Sequence, residues 1–558
     1  MRLLELFAGG ALFAALAVAA TDVVHPMFND LPWVGAGLGV AAGVGALLAR
    51  RHRTGRAAAA TAVASVLWLA TTGDHLGPVP ARMVVFGVDG ALWSLIDAEP
   101  LPAFHRASRE GTRADLISME PMFSPLLWTT IASGRTVNEH GVRGFRVQTH
   151  DCKVARWWDV AEARGDAVGL YKWLVDYPPR QFAHGGFWVP SWLAPAPDAW
   201  PESLAVVKEV ELGNRLRRQA VGERGASLRR VAGLVGVGVR LGTLVRGAAW
   251  LVREQLGADD TARNVSMQLI RGEIDRDVFV AQLYARAPGV ASLNYYATDG
   301  LAHLYWDRHE AGGPEVRAAY RQADEILGEL MARLGPEARL LVVSDHGFQA
   351  MDAKGVAGQF LPLTERLRAR LGAEVPDVDV TRIGHKLVVG TRSKADVERA
   401  RAWLAMLTDA EGEPFYVVAD FPDDEGSLAL TLADEQITQA RLGTDRVGGE
   451  PLSDYVTLTA AYTGMHEESG IFLAWGRGAP AGADLGEVPL LDAAPTLLAG
   501  AGLPAARDMP GVARVWPEVP RVDSWDGLLR GRTAGPDGGV NEDMLKALGY
   551  VDDGKPTP

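Results

Sequence analysis

The sequence predicts an α/β fold, because short apolar runs typical of buried strands recur along the chain and alternate with helical patterns. Three of these runs end in residues that can bind metals. MVVFGVD closes on Asp89, VASLNYYATD on Asp299, and RLLVVSDH on Asp345 and His346. Ligands of open α/β sheets bind beyond the carboxyl ends of the strands, so we expect these side chains to converge on one cleft.

Seven residues are candidates for that cleft: Asp89, Ser124, Asp299, His303, Asp345, His346 and His466. Asp299 and His303 are spaced i, i+4, so one helical turn places both on the same side. Three Asp and three His suffice for two metal ions with three ligands each, which leaves Ser124 as an oxygen nucleophile that an ion can activate. Taken singly, each residue has an ordinary alternative, such as a turn, a helix cap or a hydrogen-bonded polar group.

Composition limits the class of protein. The chain has 558 residues, of which 48% are hydrophobic and 22% charged, as in a folded protein. A net charge of -13 argues against binding to a nucleic-acid polymer. It still allows an anionic substrate, because bound cations can make the charge at the binding site positive. Cys152 is the single cysteine, which excludes an intrachain disulfide and a multi-cysteine metal site.

The N-terminus predicts a multi-pass membrane anchor. Apolar stretches cover residues 3–20, 33–49 and 57–72, and the third is short and rich in alanine. The loop RRHRTGR between the second and third carries four arginines, whereas the first loop has no Lys or Arg. The positive-inside rule then places RRHRTGR in the cytoplasm and the catalytic part on the outer (periplasmic or extracellular) face.

Two alternatives remain for this region. Ala17-Val18-Ala19 could serve as the cleavage site of a signal peptide, which would leave the topology of the rest unchanged. If only two segments crossed the membrane, the catalytic part would lie in the cytoplasm.

The chain divides into seven predicted regions. They are a transmembrane region 1–75, catalytic core segments 82–150, 286–350 and 456–516, an inserted cap region 151–285, an inserted lobe 351–455 and a tail 517–558.

Within the cap region, residues 228–256 are apolar but contain Arg240, Arg246 and Arg253, which fits either an amphipathic segment at a lipid surface or a helix packed on its own domain. Six tryptophans between 157 and 200 could stack on a base, pack on a sugar or form a small core.

Five motifs in order resemble the alkaline phosphatase superfamily, and within it the type I phosphodiesterase/nucleotide pyrophosphatase family. They are VVFGVDGALW, FSPLLWTTIASGRTVNEHGVRGF, TDGLAHLYW, VVSDHGF and TGMHEESGIFLAWG. The resemblance implies an alkaline-phosphatase-like central sheet sandwiched by helices, with inserted lobes. It also implies that Asp89, Asp345 and His346 bind one ion, which also touches the nucleophile Ser124. Asp299, His303 and His466 would bind the second, and the ions in such sites are usually zinc.

The chain departs from the family pattern after the nucleophile. Animal nucleotide pyrophosphatases have Phe-Pro-Asn there, whereas Pro125, Leu126 and Leu127 follow Ser124, so a phosphate-binding Asn is missing. Thr129 or Thr130 could donate instead or could cap a helix, and Arg135 could meet a phosphate or end a helix. The sulfatase pattern Cys/Ser-x-Pro-x-Arg does not fit this segment.

The expected activity is two-metal-dependent hydrolysis of a phosphoric ester through a phospho-serine intermediate. The substrate could be a nucleotide, a lipid headgroup or a glycan phosphate. One alternative is a membrane phosphotransferase that passes the group to a lipid or glycan alcohol. Another is a non-catalytic membrane-anchored binding protein, against which the intact set of seven residues argues.

Overall fold

The computed structural model describes residues 77–552 except for ten short internal segments: 218–223, 256–258, 307–311, 351–358, 384–385, 434–436, 438, 460–462, 530–538 and 548–549. All three predicted membrane spans precede residue 77 and lie outside the described residues. Within the described part, no helix combines the length and the apolar character needed to cross a bilayer.

The described residues form twenty strands. In chain order they are β1 Met83–Val88, β2 Thr112–Ile117, β3 Val168–Tyr171, β4 Gly186–Val189, β5 Val290–Tyr295, β6 Arg339–Val343, β7 Gly347–Ala350, β8 Gln359–Pro362, β9 Asp379–Ile383, β10 Lys386–Gly390, β11 Tyr416–Phe421, β12 Asp424–Leu432, β13 Arg446–Val447, β14 Glu450–Pro451, β15 Val456–Thr459, β16 Gly464–Glu467, β17 Ser469–Gly476, β18 Ala483–Pro489, β19 Pro504–Ala506 and β20 Val519–Val522.

The same residues form sixteen α-helices. They are α1 Trp93–Ala98, α2 Pro102–Glu110, α3 Ser124–Ser133, α4 Val137–His140, α5 Trp157–Ala163, α6 Ala205–Arg217, α7 Arg224–Gly236, α8 Leu241–Gln255, α9 Asp260–Arg286, α10 Ala297–Tyr305, α11 Pro314–Arg333, α12 Thr364–Leu371, α13 Lys394–Leu404, α14 Gln439–Thr444, α15 Ala493–Gly500 and α16 Glu542–Ala547.

Eight strands form one sheet in the order β18-β2-β17-β6-β1-β5-β3-β4. β17 runs antiparallel to its neighbours β2 and β6, and the other pairs are parallel. Every residue of β1 and β5 is buried, so both faces of the sheet are covered at its centre, as parallel sheets require. The predicted α/β fold is confirmed, and its central sheet is large and mostly parallel.

Helix boundaries follow local signals in the sequence. The sequence predicts a helix from Pro102 to a stop at Gly111, and α2 begins with Pro102 and ends before Gly111. The segment LLDAAPTLLAGAGLP predicts a helix with Asp492 near its start, and α15 follows Asp492 and packs on β1 and β6. Asp492 accepts hydrogen bonds from the Val512 backbone N–H at 2.7 Å and from Arg514 Nε at 2.5 Å.

An antiparallel lobe (residues 363–455) interrupts the central sheet between β6 and β17. Its own sheet has the strand order β11-β12-β10-β9, with antiparallel pairing throughout. The chain enters the lobe through β7 and β8 and returns through β15 and β16. β8 pairs with β15 and β7 with β16, so the entering and returning segments form a paired stem.

The sequence of the inserted lobe predicts a solvated surface, because acidic residues recur along it: Asp377, Asp379, Asp420, Asp423, Asp424 and Glu425. Two of them are less solvated than this pattern predicts. Asp424 is almost fully buried and accepts a hydrogen bond from Arg143 Nε at 2.7 Å. Asp379 binds Arg146 Nη1 at 2.5 Å. The prediction of a solvated surface is wrong for these two residues, because arginines of another segment neutralise them.

Contacts divide the described residues into two units, one made mainly of residues 209–285 and the other of residues 80–208 and 286–552. In the first unit, residues 228–256 form two helices, α7 and α8, because the chain turns at Gly238 with a positive φ of 107°. Arg240 lies 3.2 Å from Asp277, and Arg246 lies 2.7 Å from Glu273, both on α9. These ion pairs favour packing of the segment on its own unit over a lipid-facing role.

His140 is a buried histidine whose neighbours fix its tautomer. Its Nδ1 accepts the Val142 backbone N–H at 3.1 Å, so Nε2 carries the proton and donates to Thr130 Oγ1 at 3.1 Å. Burial, with a smaller effect of the Arg143 charge, lowers the pKa of His140 to about 3.

We expect His140 to destabilise the fold in acid. The unfolded chain binds a proton at this histidine near pH 6.5, whereas the folded chain does not until about pH 3. The free energy of unfolding should therefore fall as the pH drops below 6.5, by roughly 1.4 kcal/mol per pH unit for this residue. Urea unfolding of wild type and His140→Gln at pH 7 and pH 5 measures the difference. Identical pH dependence in the two proteins would contradict the assignment.

Candidate metal centre and nucleophile

The structure brings the seven predicted side chains into one cluster, in which each is at most 5% exposed. Asp89 follows β1, Ser124 begins α3, Asp299 and His303 lie on α10, Asp345 and His346 lie between β6 and β7, and His466 lies on β16. The strand expected to close on Asp299 ends instead at Tyr295. Asp299 then lies in the first turn of α10 and His303 in its last, so the i, i+4 spacing acts as predicted.

Asp89, Asp345 and His346 form the first ligand group, with one ligand atom of each within 4.8 Å of the others. Nε2 of His346 lies 3.6 Å from Asp89 Oδ1 and 3.4 Å from Asp345 Oδ2. Nδ1 of the same ring lies 3.0 Å from the Gly347 carbonyl oxygen, to which it donates. This contact leaves the Nε2 lone pair facing the two carboxylates, as in histidines that bind metals.

Asp299, His303 and His466 form the second ligand group, and one ligand atom of each again lies within 4.8 Å of the others. Nε2 of His303 and Nε2 of His466 lie 3.3 and 3.4 Å from Asp299 Oδ1 and 3.1 Å from each other. His466 Nδ1 donates to the Met122 carbonyl oxygen at 2.9 Å, which again turns Nε2 inward. The groups adjoin through His346 and His466, whose ring centroids are 3.6 Å apart and nearly parallel.

The buried carboxylates differ in how easily they ionise. Burial raises the pKa of Asp89 well above its usual range, and the charges of Asp345 and Asp299 raise it further. Burial and the Asp299 charge raise the pKa of Asp345 to about 7. Burial also opposes ionisation of Asp299, but the neighbouring His303 and His466 hold its pKa well below the usual range. Burying ionised carboxylates is therefore more unfavourable in the first group than in the second.

The donor set fits two divalent cations. Asp345 Oδ2 is buried and accepts no hydrogen bond from any described residue. Leaving a buried carboxylate oxygen without a partner is costly, and a bound cation would supply the missing interaction. Each group offers three ligand atoms, with a histidine nitrogen turned toward the carboxylates in both.

Ser124 lies beside the first ligand group. Its Oγ is 3.5 Å from Asp89 Oδ1 and 3.4 Å from His346 Nε2. As the first residue of the ten-residue helix α3, it also lies at the positive end of a helix dipole. An oxygen in this position can attack an electrophile, and an anionic group attached to it would lie at the positive end of the helix dipole.

Trp128 is a site residue that the sequence reasoning missed. Its Nε1 donates to Asp89 Oδ2 at 2.8 Å, which orients a carboxylate of the first group. The contact needs Gly87, because a Cβ there would lie 2.6 Å from the Trp128 ring. A signal was present in the sequence, since Trp128 is spaced i+4 from Ser124 and shares its side of α3.

Other polar residues near Ser124 in sequence do not face the cluster. Thr129 Oγ1 donates to the Pro125 carbonyl oxygen at 2.7 Å, and Thr130 Oγ1 donates to that of Leu126 at 3.2 Å. Arg135 pairs with Glu139 at 2.8 Å, and it also pairs with Asp508 and Asp526. Neither threonine therefore donates to the cluster, and neither caps a helix, since both lie inside α3 and bond to the carbonyl four residues earlier. The ion pairs of Arg135 give it a structural role.

The tryptophans of the cap region form a core. Five of the six are at most 6% exposed: Trp157, Trp158, Trp173, Trp188 and Trp192. The first four meet one another edge to face, and Trp192 contacts Phe145 and Tyr296. Trp200 is partly buried against the same cluster. Of the three roles considered for them, the small core is the one observed.

Comparison with known proteins identifies one family. The sequence model of the type I phosphodiesterase/nucleotide pyrophosphatase family matches residues 83–424. No curated protein sequence matches the chain. Among solved structures, human ectonucleotide pyrophosphatase/phosphodiesterase 5 is similar at 13% identity, with a TM-score of 0.43 over 78% of this chain and 97% of that one. The murine protein in an inactive form with AMP is similar at 13% identity and a TM-score of 0.40, over 80% of this chain and 99% of that one.

Proposed function

The chain belongs to the type I phosphodiesterase/nucleotide pyrophosphatase family and is a metal-dependent hydrolase of phosphoric esters, and from this premise we propose that it acts through a phosphorylated Ser124. The observation that carries the proposal is the position of Ser124 Oγ, within 3.5 Å of two members of a complete ligand group. A second complete group adjoins the first. Two adjoining cation sites suit a phosphoryl transfer, because one cation can stabilise the attacking oxygen and the other the leaving oxygen.

Asp89, Asp345 and His346 would hold one cation, and Asp299, His303 and His466 the other. When bound, the two ions neutralise charge on the phosphoryl oxygens and favour ionisation of the attacking hydroxyl. We propose zinc for both positions, because imidazole and carboxylate together suit zinc, whereas magnesium and calcium prefer oxygen ligands alone.

Ser124 would supply the nucleophile. Its Oγ forms a bond to phosphorus while the bond from phosphorus to the leaving oxygen breaks, and the leaving group departs as an alcohol or a phosphate. The phosphorylated side chain would remain at the N-terminus of α3, where the helix dipole favours negative charge. Water would then attack phosphorus and the bond from phosphorus to Ser124 Oγ would break. The phosphate product would leave with the oxygen of the water, and Ser124 Oγ would regain a proton.

We propose a nucleotide phosphoester as the substrate class, in keeping with the family description. Lipid headgroups and glycan phosphates remain alternatives for the same chemistry. We further propose that the apolar segments before residue 77 anchor the enzyme in a membrane, with its catalytic part on the outer face. Support for this placement comes from the lengths of these segments and from the arginines of RRHRTGR.

The function can be tested with the full chain purified in detergent. We expect Zn²⁺-dependent release of p-nitrophenol from bis-p-nitrophenyl phosphate, loss of release on chelation, and recovery when Zn²⁺ is returned. Full turnover in excess chelator would contradict a metal-dependent reaction. Release from p-nitrophenyl phosphate alone would make the enzyme a monoesterase. No release from either ester with metal bound would favour the phosphotransferase.

A further inference from the structure

The C-terminal strap, defined as residues 541–547 and 550–552, is docked against the catalytic unit at both ends. At one end, Asn541 donates from its backbone N to the Leu193 carbonyl oxygen at 2.8 Å and from Nδ2 to that of Trp192 at 3.0 Å. At the other, Asp552 Oδ2 accepts the backbone N–H and the hydroxyl of Thr364 at 2.5 and 2.8 Å.

Tyr550 lies between these anchors and is 2% exposed. Its carbonyl oxygen accepts the Arg382 backbone N–H at 2.9 Å, which fixes the backbone of the strap at this position. Its ring packs on Phe145, with centroids 4.2 Å apart, and meets the His303 ring edge to face at 5.6 Å. A residue of the predicted tail is therefore built into the wall of the ligand cluster.

The Tyr550 hydroxyl points at the second ligand group. Its oxygen lies 3.2 Å from Nε2 of His303, the nitrogen that also faces Asp299 and His466. The cluster beside it consists of carboxylates and imidazole nitrogens, which accept hydrogen bonds or bind cations, and of the Ser124 hydroxyl. Thr129 and Thr130 on α3 already bond to helix carbonyls. A neutral phenol adds a hydrogen-bond donor to a cluster made mainly of acceptors.

We propose that Tyr550 binds the substrate, donating a hydrogen bond from its phenol to a non-bridging oxygen of the phosphoryl group. The inference rests on the proposed function and adds a residue from outside the segment that matches the family, residues 83–424. It also offers a donor in a chain that has Leu126 and Leu127, not Asn, near the nucleophile. Donors aimed at phosphoryl oxygens stabilise the charge that spreads over them in the transition state.

Tyr550→Phe tests the proposal, because it removes the hydroxyl and keeps the ring that packs on Phe145. Tyr416→Phe is the matched control, since Tyr416 is also buried and its hydroxyl has no hydrogen-bond partner among the described residues. For Tyr550→Phe we expect kcat/KM on bis-p-nitrophenyl phosphate to fall about tenfold to a hundredfold. Affinity for orthovanadate, measured by calorimetry, should fall by a similar factor, with zinc content and melting temperature unchanged.

Three outcomes would overturn the proposal. Unchanged kcat/KM and vanadate affinity in Tyr550→Phe would mean that the hydroxyl does not touch the substrate. Higher activity than wild type would mean that the phenol obstructs the site. Lower zinc content would mean that Tyr550 supports His303 or the ion and not the phosphoryl group. Wild-type turnover tests the proposed function separately, and vanadate binding still compares the two proteins if no ester is hydrolysed.

Discussion

Replacing Ser124 by alanine is expected to abolish turnover, with kcat lowered on the order of ten-thousand-fold or more. The substitution removes the oxygen that lies 3.4 Å from His346 Nε2 and 3.5 Å from Asp89 Oδ1. No other hydroxyl on α3 can replace it, because those of Thr129, Thr130 and Ser133 bond to carbonyl oxygens of the preceding turn. Steady-state hydrolysis of bis-p-nitrophenyl phosphate measures the loss, and acid quenching followed by peptide mass spectrometry tests for phosphate on Ser124.

Ser133→Ala is the matched control for Ser124→Ala. It removes a buried serine hydroxyl from the other end of the same helix, where Oγ donates to the Thr129 carbonyl oxygen at 2.7 Å. We expect this variant to lose about 1 kcal/mol of stability and to keep wild-type activity and zinc content. A Ser124→Ala protein that retains turnover would exclude the covalent intermediate. In that case water would have to attack the phosphoester directly.

Replacing Asp345 by asparagine is expected to abolish hydrolysis and, in the same protein, to raise the stability of the metal-free fold. The variant should lose hydrolysis and the cation proposed for the first group, because a neutral amide is a poor ligand in place of a carboxylate. The same change should stabilise the chelated protein by about 1–3 kcal/mol. Asp345 Oδ2 is fully buried without a hydrogen bond from any described residue, and an amide there could donate to His346 Nε2, 3.4 Å away. Zinc content and melting temperature in excess chelator measure the two effects.

Asp492→Asn provides the contrast to Asp345→Asn. Asp492 is also buried, but its carboxylate accepts hydrogen bonds from Val512 N and from Arg514. Its replacement should destabilise the chelated protein and leave zinc binding intact. Both variants should be compared in excess chelator. A lower melting temperature for Asp345→Asn, as expected for Asp492→Asn, would mean that burying the carboxylates of the first group does not destabilise the metal-free protein.

The sequence predicted that the candidate ligands converge, and the structure brings them together, because their positions follow a rule of topology. Asp89 and Asp345 follow neighbouring parallel strands, β1 and β6, so their side chains meet at one edge of the sheet. The i, i+4 spacing of Asp299 and His303 needs only one helical turn. His466 was harder to place from strand periodicity, since it lies on the short strand β16, whose partner β7 is far away in sequence.

The supporting residues could not be predicted from local patterns. Nothing near Tyr550 in the sequence indicates that it meets His303, because that contact depends on how the C-terminal strap docks. Asp424 and Asp379 were predicted to be solvated, since their arginine partners lie in a different segment of the chain. The split of residues 228–256 into two helices was also missed, although the glycines there weaken a single helix.

The stem that joins the antiparallel lobe to the central sheet sets an order in which the chain can assemble its ligands. Asp89, Asp345 and His346 come together once β1 pairs with β6. His466 can join Asp299 and His303 only after the lobe has closed and β16 has paired with β7. Closing a long loop costs entropy before the contacts that it permits are made. A newly made chain should therefore bind one cation before the second. A lobe that fails to fold would leave the first ligand group complete and the second without His466.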